Sequence, residues 1–310
     1  MKQIFKSIFI ICAAYSLYAY ADDNAKYQSD LIIFSYDRPM QLEACLRSTL
    51  QNVNGIEHIF VIYRSSNERF ANAFALVEQQ YDSVIFLPQQ TPFNDFKQLT
   101  MSCLQATDTS YVLFAVDDDI VTAEIDVIRC AQLLETTQAY AFFLRLGLNL
   151  SACYSVGRTH DTPQKVPMHS YVADDVISWK FAGAEYDWGY PNNVDMTLYR
   201  KVDVINVLKS FDFKNPTQLE GTWAARFARP IMQREGLCFE YSRMVNIPVN
   251  VVHVGNRHMN SWSSVQLLEF FESGKRIDIV PLQNIKNPSA HTEYALQFIE
   301  QRDIKVKNED

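Results

Sequence analysis

The feature that most limits how this chain can fold is a regular alternation between short apolar runs and segments of helical periodicity. Apolar runs predict buried strands at residues 31–34, 58–63, 84–87, 111–116 and 141–146. Between these runs apolar residues recur at helical spacing, as Leu42, Leu46 and Leu50 do after Pro39. Strands that alternate with helices predict an α/β fold in which helices flank a mixed, mostly parallel central sheet.

Polar residues follow four of these runs directly. Open sheets of this class bind ligands at the carboxyl ends of their strands, so we expect the four sets to gather along one edge. The sets are Ser35-Tyr36-Asp37-Arg38, Arg64-Ser65-Ser66-Asn67, Gln89-Gln90 and Asp117-Asp118-Asp119.

Three adjacent aspartates, Asp117, Asp118 and Asp119, are the sharpest chemical signal in the sequence. Neighbouring carboxylates repel one another, and a divalent cation relieves that repulsion. Mn²⁺ and Mg²⁺ prefer oxygen ligands and also bind diphosphate oxygens. Because alternate side chains of a strand share a face, we expect Asp117 and Asp119 to hold the ion, with Asp117 and Asp118 near the diphosphate. The alternative is a solvated acidic loop that caps a strand.

Several motifs occur in a fixed order along the chain. They are Ile33-Phe34-Ser35-Tyr36-Asp37-Arg38-Pro39, then Phe114 to Asp119 in the place of a DxD motif, then Trp188-Gly189-Tyr190-Pro191 with Asp195 and Leu198-Tyr199-Arg200, and then Asn215-Pro216-Thr217-Gln218-Leu219-Glu220. With these motifs, residues 30 to about 257 resemble a GT-A nucleotide-diphospho-sugar transferase, similar to the family-2 glycosyltransferases.

The resemblance implies a metal-dependent enzyme that moves a sugar from a nucleotide donor, expected to be UDP-linked, to a hydroxyl of a sugar or glycoconjugate, with inversion. Many family-2 members carry an acidic residue after the second strand to contact the base and ribose, whereas Arg64 stands here. The competing interpretation is a non-catalytic sugar- or cation-binding protein on the same fold. A metal-dependent phosphate-ester hydrolase would need further ligands near the aspartates, and the sequence offers no convincing set.

Four charged residues are candidates for contacts to the donor. The resemblance places Asp37 and Arg38 in a nucleotide-facing loop, although a surface ion pair before the Pro39 helix is an equal alternative. Arg64 is a candidate for a forked contact to phosphate, or for a solvated side chain. Lys97 stands where similar enzymes contact the nucleotide-sugar, but a charge near a helix start needs no such function.

Glu220 is the candidate general base, since an inverting transfer needs a carboxylate that deprotonates the acceptor hydroxyl. Glu185 and Asp187 are alternatives, and a solvent-exposed helix residue is the structural explanation for Glu220. Beside them, Trp188 and Tyr190 are candidates for a stacking wall against the acceptor sugar. Core positions are the safer interpretation for two other tryptophans, Trp179 and Trp223.

A late segment of the chain adds candidates that rest on the resemblance. GT-A enzymes often take a further metal ligand from a late histidine, which points to His253, with His258 as a competitor. Arg257 is placed near the diphosphate on the same ground. A structural or solvated role is the alternative for a lone histidine at a strand end.

The N-terminus has the pattern of a secretory signal. Two lysines precede an apolar run, and Ala19-Tyr20-Ala21 supplies the small residues that a signal peptidase recognises. We therefore expect a signal peptide at residues 1–21 and export of a single domain at 22–310. An uncleaved segment that anchors the chain to a membrane is the alternative. Within the domain we expect a nucleotide-sugar half (30–146), an acceptor half (147–260) and C-terminal helices (261–310), the latter near residues 265–271 and 294–301.

Charge and cysteine content narrow the choice of partners. The net charge is −8 and no basic stripe is evident, so nucleic acid is not expected as a partner. Five cysteines lie outside the signal segment at wide spacing, which suits neither a disulfide framework nor a zinc site. We expect most of them to be buried thiols, although an oxidising compartment would allow one bridge.

Overall fold

The computed structural model describes residues 24–156, 160–250 and 262–304. The α-helices within these ranges are α1 (Pro39–Asn52), α2 (Glu68–Glu78), α3 (Phe96–Gln105), α4 (Val127–Thr137), α5 (Lys201–Lys209), α6 (Pro216–Phe227) and α7 (Ser264–Glu272). The strands are β1 (Ser29–Tyr36), β2 (Val53–Asn54), β3 (Ile56–Arg64), β4 (Val84–Pro88), β5 (Tyr111–Val116), β6 (Asp119–Val121), β7 (Ile125–Asp126), β8 (Ala141–Phe143), β9 (Ala152–Cys153), β10 (Thr162–Pro163), β11 (His169–Ala173), β12 (Val176–Lys180), β13 (Thr197–Arg200), β14 (Glu235–Phe239), β15 (Met244–Asn246), β16 (Lys275–Ile277) and β17 (Phe298–Glu300).

A nine-stranded sheet organises the protein, in the order β11-β12-β14-β8-β13-β5-β1-β3-β4. β1 pairs in parallel with β3 and β5, and β3 pairs in parallel with β4. β13 lies antiparallel between β5 and β8, and β14 lies parallel to β8 and antiparallel to β12. The predicted α/β class with a mixed central sheet flanked by helices is confirmed, and the N-terminal half is its parallel part.

The apolar run of β1 is continuous because both faces of the sheet are covered. Leu31 and Ile33 pack in one hydrophobic cluster, whereas Ile32 and Phe34 pack in a second cluster. This is the period-two alternation of a strand that is buried on both sides. The carboxyl end of β1 is thereby held rigidly in the middle of the sheet.

Local sequence signals set where the helices near the site begin. Pro39 occupies the first turn of α1, directly after the end of β1. The Asn215 side chain caps α6 by accepting a hydrogen bond from the Gln218 N–H at 2.9 Å. Such a cap contributes about 1 kcal/mol. It starts α6 so that Glu220 lies just beyond the first turn.

The C-terminal region departs from the prediction of two helices. Residues 265–271 do lie in a helix, α7, but the predicted helix at 294–301 was wrong. Phe298 instead lies in β17, which pairs antiparallel with β16, and its ring packs edge-on against Trp262 and Phe270 at centroid distances of 5.4 and 4.9 Å. The secondary structure of this segment is therefore determined by strand pairing and by aromatic packing with distant residues, rather than by its local periodicity.

The predictions for the cysteines and for membrane-spanning segments can also be compared with the structure. The five cysteines outside the signal segment are free and buried in the structure, as expected for structural thiols. Across the part of the chain that the structure describes, none of the helices has the length and apolar character needed to cross a membrane. The predicted signal peptide at residues 1–21 lies outside the described residues.

Candidate functional site

The three aspartates lie at the carboxyl end of β5, in the middle of the sheet. Asp117 and Asp118 form a turn, and Asp119 then begins β6. We call these three residues the acid turn. Because β5 ends before Asp117, the strand alternation that predicted a shared face for Asp117 and Asp119 does not apply here.

Two side chains bind the acid turn together. Arg38 Nη1 donates hydrogen bonds to Asp117 Oδ1 at 3.0 Å and to Asp118 Oδ2 at 2.8 Å. Asn246 Nδ2, at the end of β15, donates to Asp118 Oδ1 at 2.9 Å and to Asp119 Oδ1 at 3.0 Å. Each outer aspartate therefore shares a donor with Asp118.

The remaining oxygens of the acid turn accept hydrogen bonds from the adjacent strands. Asp117 Oδ2 accepts from the Ser35 hydroxyl at 2.7 Å, and Asp119 Oδ2 accepts from the Val116 N–H at 3.1 Å. Burial raises the pKa of Asp117 to about 6, against the lowering effect of Arg38. Burial, followed by the charges of Asp195 and Asp118, raises the pKa of Asp119 well above its usual range. A further cation at the acid turn would relieve this repulsion.

Arg38 is the buried counter-charge of the acid turn. It is 5% exposed, and its Nη2 donates to the Asn250 carbonyl oxygen. It thus joins the ends of β1 and β5 to the chain just before residue 251. The alternative of a solvated surface pair before α1 does not describe this residue.

Removal of Arg38 is expected to destabilise the protein in a pH-dependent way. Arg38→Met leaves Asp117 buried without a counter-charge, a change that costs about 3–5 kcal/mol. A raised pKa means that the carboxyl favours folding at low pH and loses this contribution as pH rises through about 6. Urea unfolding should therefore show a larger loss of stability at pH 8 than at pH 5. Equal losses at the two pH values would contradict this account.

A suitable control for that variant is Arg129→Met. Arg129 also pairs with an aspartate, Asp175, but its side chain is 40% exposed. Exposed pairs contribute about 0–1 kcal/mol, so this variant should lose little stability at either pH.

Asp37 and Arg64 tie the ends of β1 and β3 together. Asp37 has a positive φ of 53°, which aspartate tolerates better than most residues. Its Oδ1 accepts a hydrogen bond from the Ser66 N–H at 2.7 Å. The Arg64 guanidinium contacts the rings of Tyr36 and Phe93, at 4.6 and 4.4 Å from their centroids. The half-buried Arg64 is therefore packed against two aromatic rings at the predicted ligand edge.

Lys97 lies at the start of α3 and pairs with a different part of the chain. Its Nζ is 2.9 Å from Asp212 Oδ1, in an exposed ion pair. The neighbouring Asp95 accepts hydrogen bonds from the N–H groups of Gln90 and Thr91 at 2.6 and 2.7 Å. Asp95 therefore shapes the loop that precedes α3, and a donor contact by Lys97 stays a prediction.

Glu220 projects from α6 into a second group of ionisable side chains. Burial raises its pKa to about 7, with a further increase from the charge of Asp195. Arg145, a hydrogen bond from Tyr190 and the charge of His291 act in the opposite direction. A half-buried carboxyl with a pKa near neutrality suits a general base.

The alternatives to Glu220 occupy different surroundings. Asp187 is buried in an ion pair with Arg145 at 3.2 Å and accepts a hydrogen bond from Gln164 Nε2 at 3.2 Å. Glu185 is exposed. Asp187 thus has a structural partner on each oxygen, which makes it less suited than Glu220 to receive a proton.

The predicted aromatic wall is only half supported. Trp188 is fully buried, and its ring meets that of Trp179 edge-on at a centroid distance of 4.9 Å. The expectation that Trp188 contacts an acceptor sugar was therefore wrong, because the residue belongs to the core. Trp179 and Trp223 are core residues as expected, and half-buried Tyr190 remains beside Glu220.

Some site residues were missed by the sequence analysis, and some lie beyond the structure. His253, Arg257 and His258 fall within 251–261, outside the described residues. Asn246 was missed. It is a single amide with apolar residues on both sides along the chain, and that pattern is a signal that could have found it. His291, 3.5 Å from Asp195, lies in a loop without any local pattern that marks it.

Comparisons with known proteins bear on this arrangement. No protein-family model matches the chain. A curated protein of Dictyostelium discoideum, the bifunctional glycosyltransferase pgtA, is 24% identical over 223 residues, which are 66% of this chain and 28% of that protein. The chain therefore spans well under half of the length of this relative.

A comparison with solved structures found several of S. aureus TarS. TarS 1–349 matches with a TM-score of 0.43 and 13% identity over 69% of this chain and 58% of that chain. TarS 1–349 in complex with UDP-GlcNAc matches with a TM-score of 0.46 and 12% identity over 76% and 61%. At these values the likeness supports no conclusion about function. The resemblance to glycosyltransferase enzymes that the motifs indicated is confirmed by the curated sequence relative.

Proposed function

We propose that this chain is a glycosyltransferase that moves a sugar from a nucleotide-diphospho-sugar, UDP-linked, to a hydroxyl of a sugar or glycoconjugate, with inversion. The observation that carries the proposal is the placement of the acid turn. It lies at the ligand edge of the sheet, where the ends of β1, β3 and β5 meet. After burial, the charge of Asp195 raises the pKa of both Asp119 and Glu220. The sequence similarity to a curated glycosyltransferase supports the same activity.

The acid turn fits a divalent cation by its donor chemistry. Asp117, Asp118 and Asp119 supply carboxylate oxygens, the ligands that Mn²⁺ and Mg²⁺ prefer. Burial first, and then neighbouring carboxylates, raise the pKa values of Asp117 and Asp119, and a bound ion would offset that cost of ionisation. Within the described ranges, no group of three or more His, Cys, Asp or Glu side chains is arranged as a ready-made metal site. We propose that the diphosphate completes the site, so that the acid turn holds the ion together with it, with His253 as a further ligand. The bound ion would neutralise the leaving diphosphate.

The residues at the ends of β1 and β3 would hold the nucleotide. Arg38 and Arg64 bring two cations to the edge where the donor phosphates are expected, and the rings of Tyr36 and Phe93 pack against Arg64. Asp37 would orient the loop after β3 through its hydrogen bond to the Ser66 N–H. Lys97 and Arg257 complete the proposed set of donor contacts.

Arg64→Ala is expected to raise KM for the donor about tenfold, with a small change in kcat. The reason is that a charge-assisted contact to phosphate contributes about 1.5 kcal/mol or more to ground-state binding. Steady-state kinetics with varied donor concentration would measure the effect. Arg69→Ala is a matched control, because Arg69 is an exposed arginine that pairs with Glu272 on α7. An unchanged donor KM in Arg64→Ala would remove Arg64 from the donor site.

Glu220 would act as the general base. Its carboxylate would accept the proton of the acceptor hydroxyl while that oxygen forms a bond to the anomeric carbon. The bond between the anomeric carbon and the diphosphate oxygen breaks, and the nucleoside diphosphate departs. Attack from the face opposite the leaving group inverts the anomeric centre. Tyr190, which hydrogen-bonds to Glu220, would help to orient the carboxylate.

The direct test is a donor-consumption assay with UDP- and GDP-linked sugars, in Mn²⁺ or Mg²⁺ and in EDTA. We expect release of UDP from a UDP-sugar that depends on the cation and is accelerated by a sugar acceptor. Binding of sugar or cation without turnover of any donor would favour the alternative of a non-catalytic binding protein. Residues 1–21 have the pattern of a signal peptide, and we propose export on that basis; fractionation of cells that express the full chain would test it.

A further inference from the structure

A segment near the C-terminus is held against the acid turn by hydrogen bonds. The Asn246 N–H donates to the Ala290 carbonyl oxygen at 3.0 Å, and the Thr292 N–H donates to the Asn246 carbonyl oxygen at 2.9 Å. Asn246 is also the residue whose side chain donates to Asp118 and Asp119. His291, between Ala290 and Thr292, is therefore fixed relative to the acid turn by its own backbone neighbours.

His291 faces Asp195, a carboxylate that precedes β13. The distance from His291 Nε2 to Asp195 Oδ2 is 3.5 Å, and the other ring nitrogen, Nδ1, is 3.3 Å from the Ser155 hydroxyl. The His291 ring also stacks on Tyr154 at a centroid distance of 6.5 Å. The orientation of His291 is thus set from three sides, which is the arrangement of a residue that holds its partner in a defined place.

We propose that Asp195 and His291 form an ion pair that acts on Glu220 through its charge, so that the C-terminal segment supplies part of the active site. This inference rests on the proposed function of Glu220 as the base that receives the acceptor proton. The negative charge of Asp195 disfavours ionisation of Glu220, and the positive charge of His291 reduces that effect. The pair therefore sets how strongly Glu220 holds a proton without contacting the reacting atoms.

The exposure of the pair supports a role in the site. The side chains of Asp195 and His291 are 12% and 21% exposed, and Glu220 and Tyr190 are half-buried. The structural pair between Asp30 and Lys201 is by contrast sealed, with side-chain exposures of 0% and 6%. The Asp195 pair is therefore less completely sealed from solvent than the Asp30 pair, as expected for a pair beside a site that exchanges protons.

Four side chains from three parts of the fold act on Glu220. One of these parts, the loop before β13, is held to α6 by Asn192, whose Nδ2 donates to the Trp223 carbonyl oxygen at 3.1 Å. Asp195 comes from the loop before β13, Arg145 from the segment after β8, Tyr190 from the loop before β13, and His291 from the C-terminal segment. After burial, Asp195 is the next largest influence and raises the pKa of Glu220, whereas the other three lower it. Substitutions of Asp195 and His291 should therefore shift the titration of Glu220 in opposite directions.

The test is the pH dependence of kcat/KM in the full chain with Asp195→Asn and His291→Gln. Wild type should show an acid limb near pH 7. Asp195→Asn should move this limb to lower pH and His291→Gln to higher pH, each by about one unit, the lower end of the range for a neighbouring charge. His169→Gln is a matched control, because His169 is exposed and its ring contacts the Pro167 carbonyl oxygen and the edge of the Tyr171 ring, away from the groups that act on Glu220. It should leave the limb unchanged.

Shifts of both limbs in the same direction, or reduced activity with unshifted limbs, would show a structural role and overturn the proposal. A second measurement separates this proposal from the proposed function. Infrared titration of the carboxyl band that Glu220→Gln removes reports Glu220 protonation without any turnover. If the two variants shift the Glu220 titration in opposite directions but the protein transfers no sugar, the charge coupling stands and the proposed transferase activity is rejected. Turnover with unshifted titration in both variants would reject the coupling alone.

Discussion

Asp119→Asn is expected to lower kcat/KM for sugar transfer about a thousandfold and to abolish the rise in Tm that Mn²⁺ and UDP together produce. A thousandfold loss corresponds to about 4 kcal/mol of transition-state stabilisation, the size expected when a cation no longer neutralises a leaving diphosphate. Asp119 is fully buried, and both of its oxygens accept hydrogen bonds from the protein. The Asp119 carboxylate is therefore held in one place by the protein.

Thermal unfolding and steady-state kinetics would measure these two effects. A ligand at 100 times its Kd stabilises the folded state by about 2.7 kcal/mol, so the wild-type shift is readily detected. Asp126→Asn is a matched control, because Asp126 caps α4 through the Arg129 N–H and asparagine is an equally good cap. A Tm shift with Mn²⁺ and UDP that survives in Asp119→Asn would show that the ligands bind elsewhere.

Glu220→Gln is expected to lower kcat between a hundredfold and about ten thousandfold while the Kd for UDP stays nearly constant. The amide has the size of the carboxyl but accepts no proton. In wild type, kcat/KM should rise with pH through about 7, because the base acts only when it is ionised. Equal losses in kcat and in UDP affinity would instead assign Glu220 to the donor site.

Stability provides an independent check on the same residue. The pKa of Glu220 in the folded protein, about 7, lies above its usual value. The folded state therefore holds this proton more tightly than the unfolded state, and the resulting stabilisation is full below about pH 4 and is lost as pH rises through 7. In denaturant unfolding, Glu220→Gln should thus be more stable than wild type at pH 8. At pH 5 this gain in stability over wild type should be smaller.

The parallel half of the fold could be predicted because its signals are local. The apolar residues of β1 and β5 are contiguous, and Pro39 marks a helix start directly after β1. β13 carries no comparable signal, since Thr197–Arg200 has only two apolar residues and its place between β5 and β8 depends on long-range pairing. β17 was taken for a helix for the same reason.

The candidate site was likewise predictable only where a chemically suitable residue stands next to a local signal for a strand end or a helix start. Three aspartates after a buried strand mark the acid turn, and the Asn-Pro helix start points to Glu220. The position of Arg38 between two aspartates is a tertiary contact over 79 and 80 residues. His291 reaches Asp195 through a hydrogen-bonded loop late in the chain, and only the fold brings these two residues together.

Whether the acid turn holds a cation that binds the donor diphosphate can be seen by anomalous diffraction from crystals grown with Mn²⁺ and UDP. We expect a manganese peak in contact with carboxylate oxygens of Asp117–Asp119 and with the diphosphate, with Arg38 displaced from at least one aspartate or bound to phosphate. UDP bound away from this turn, with Arg38 still bridging Asp117 and Asp118 and no manganese beside them, would contradict it.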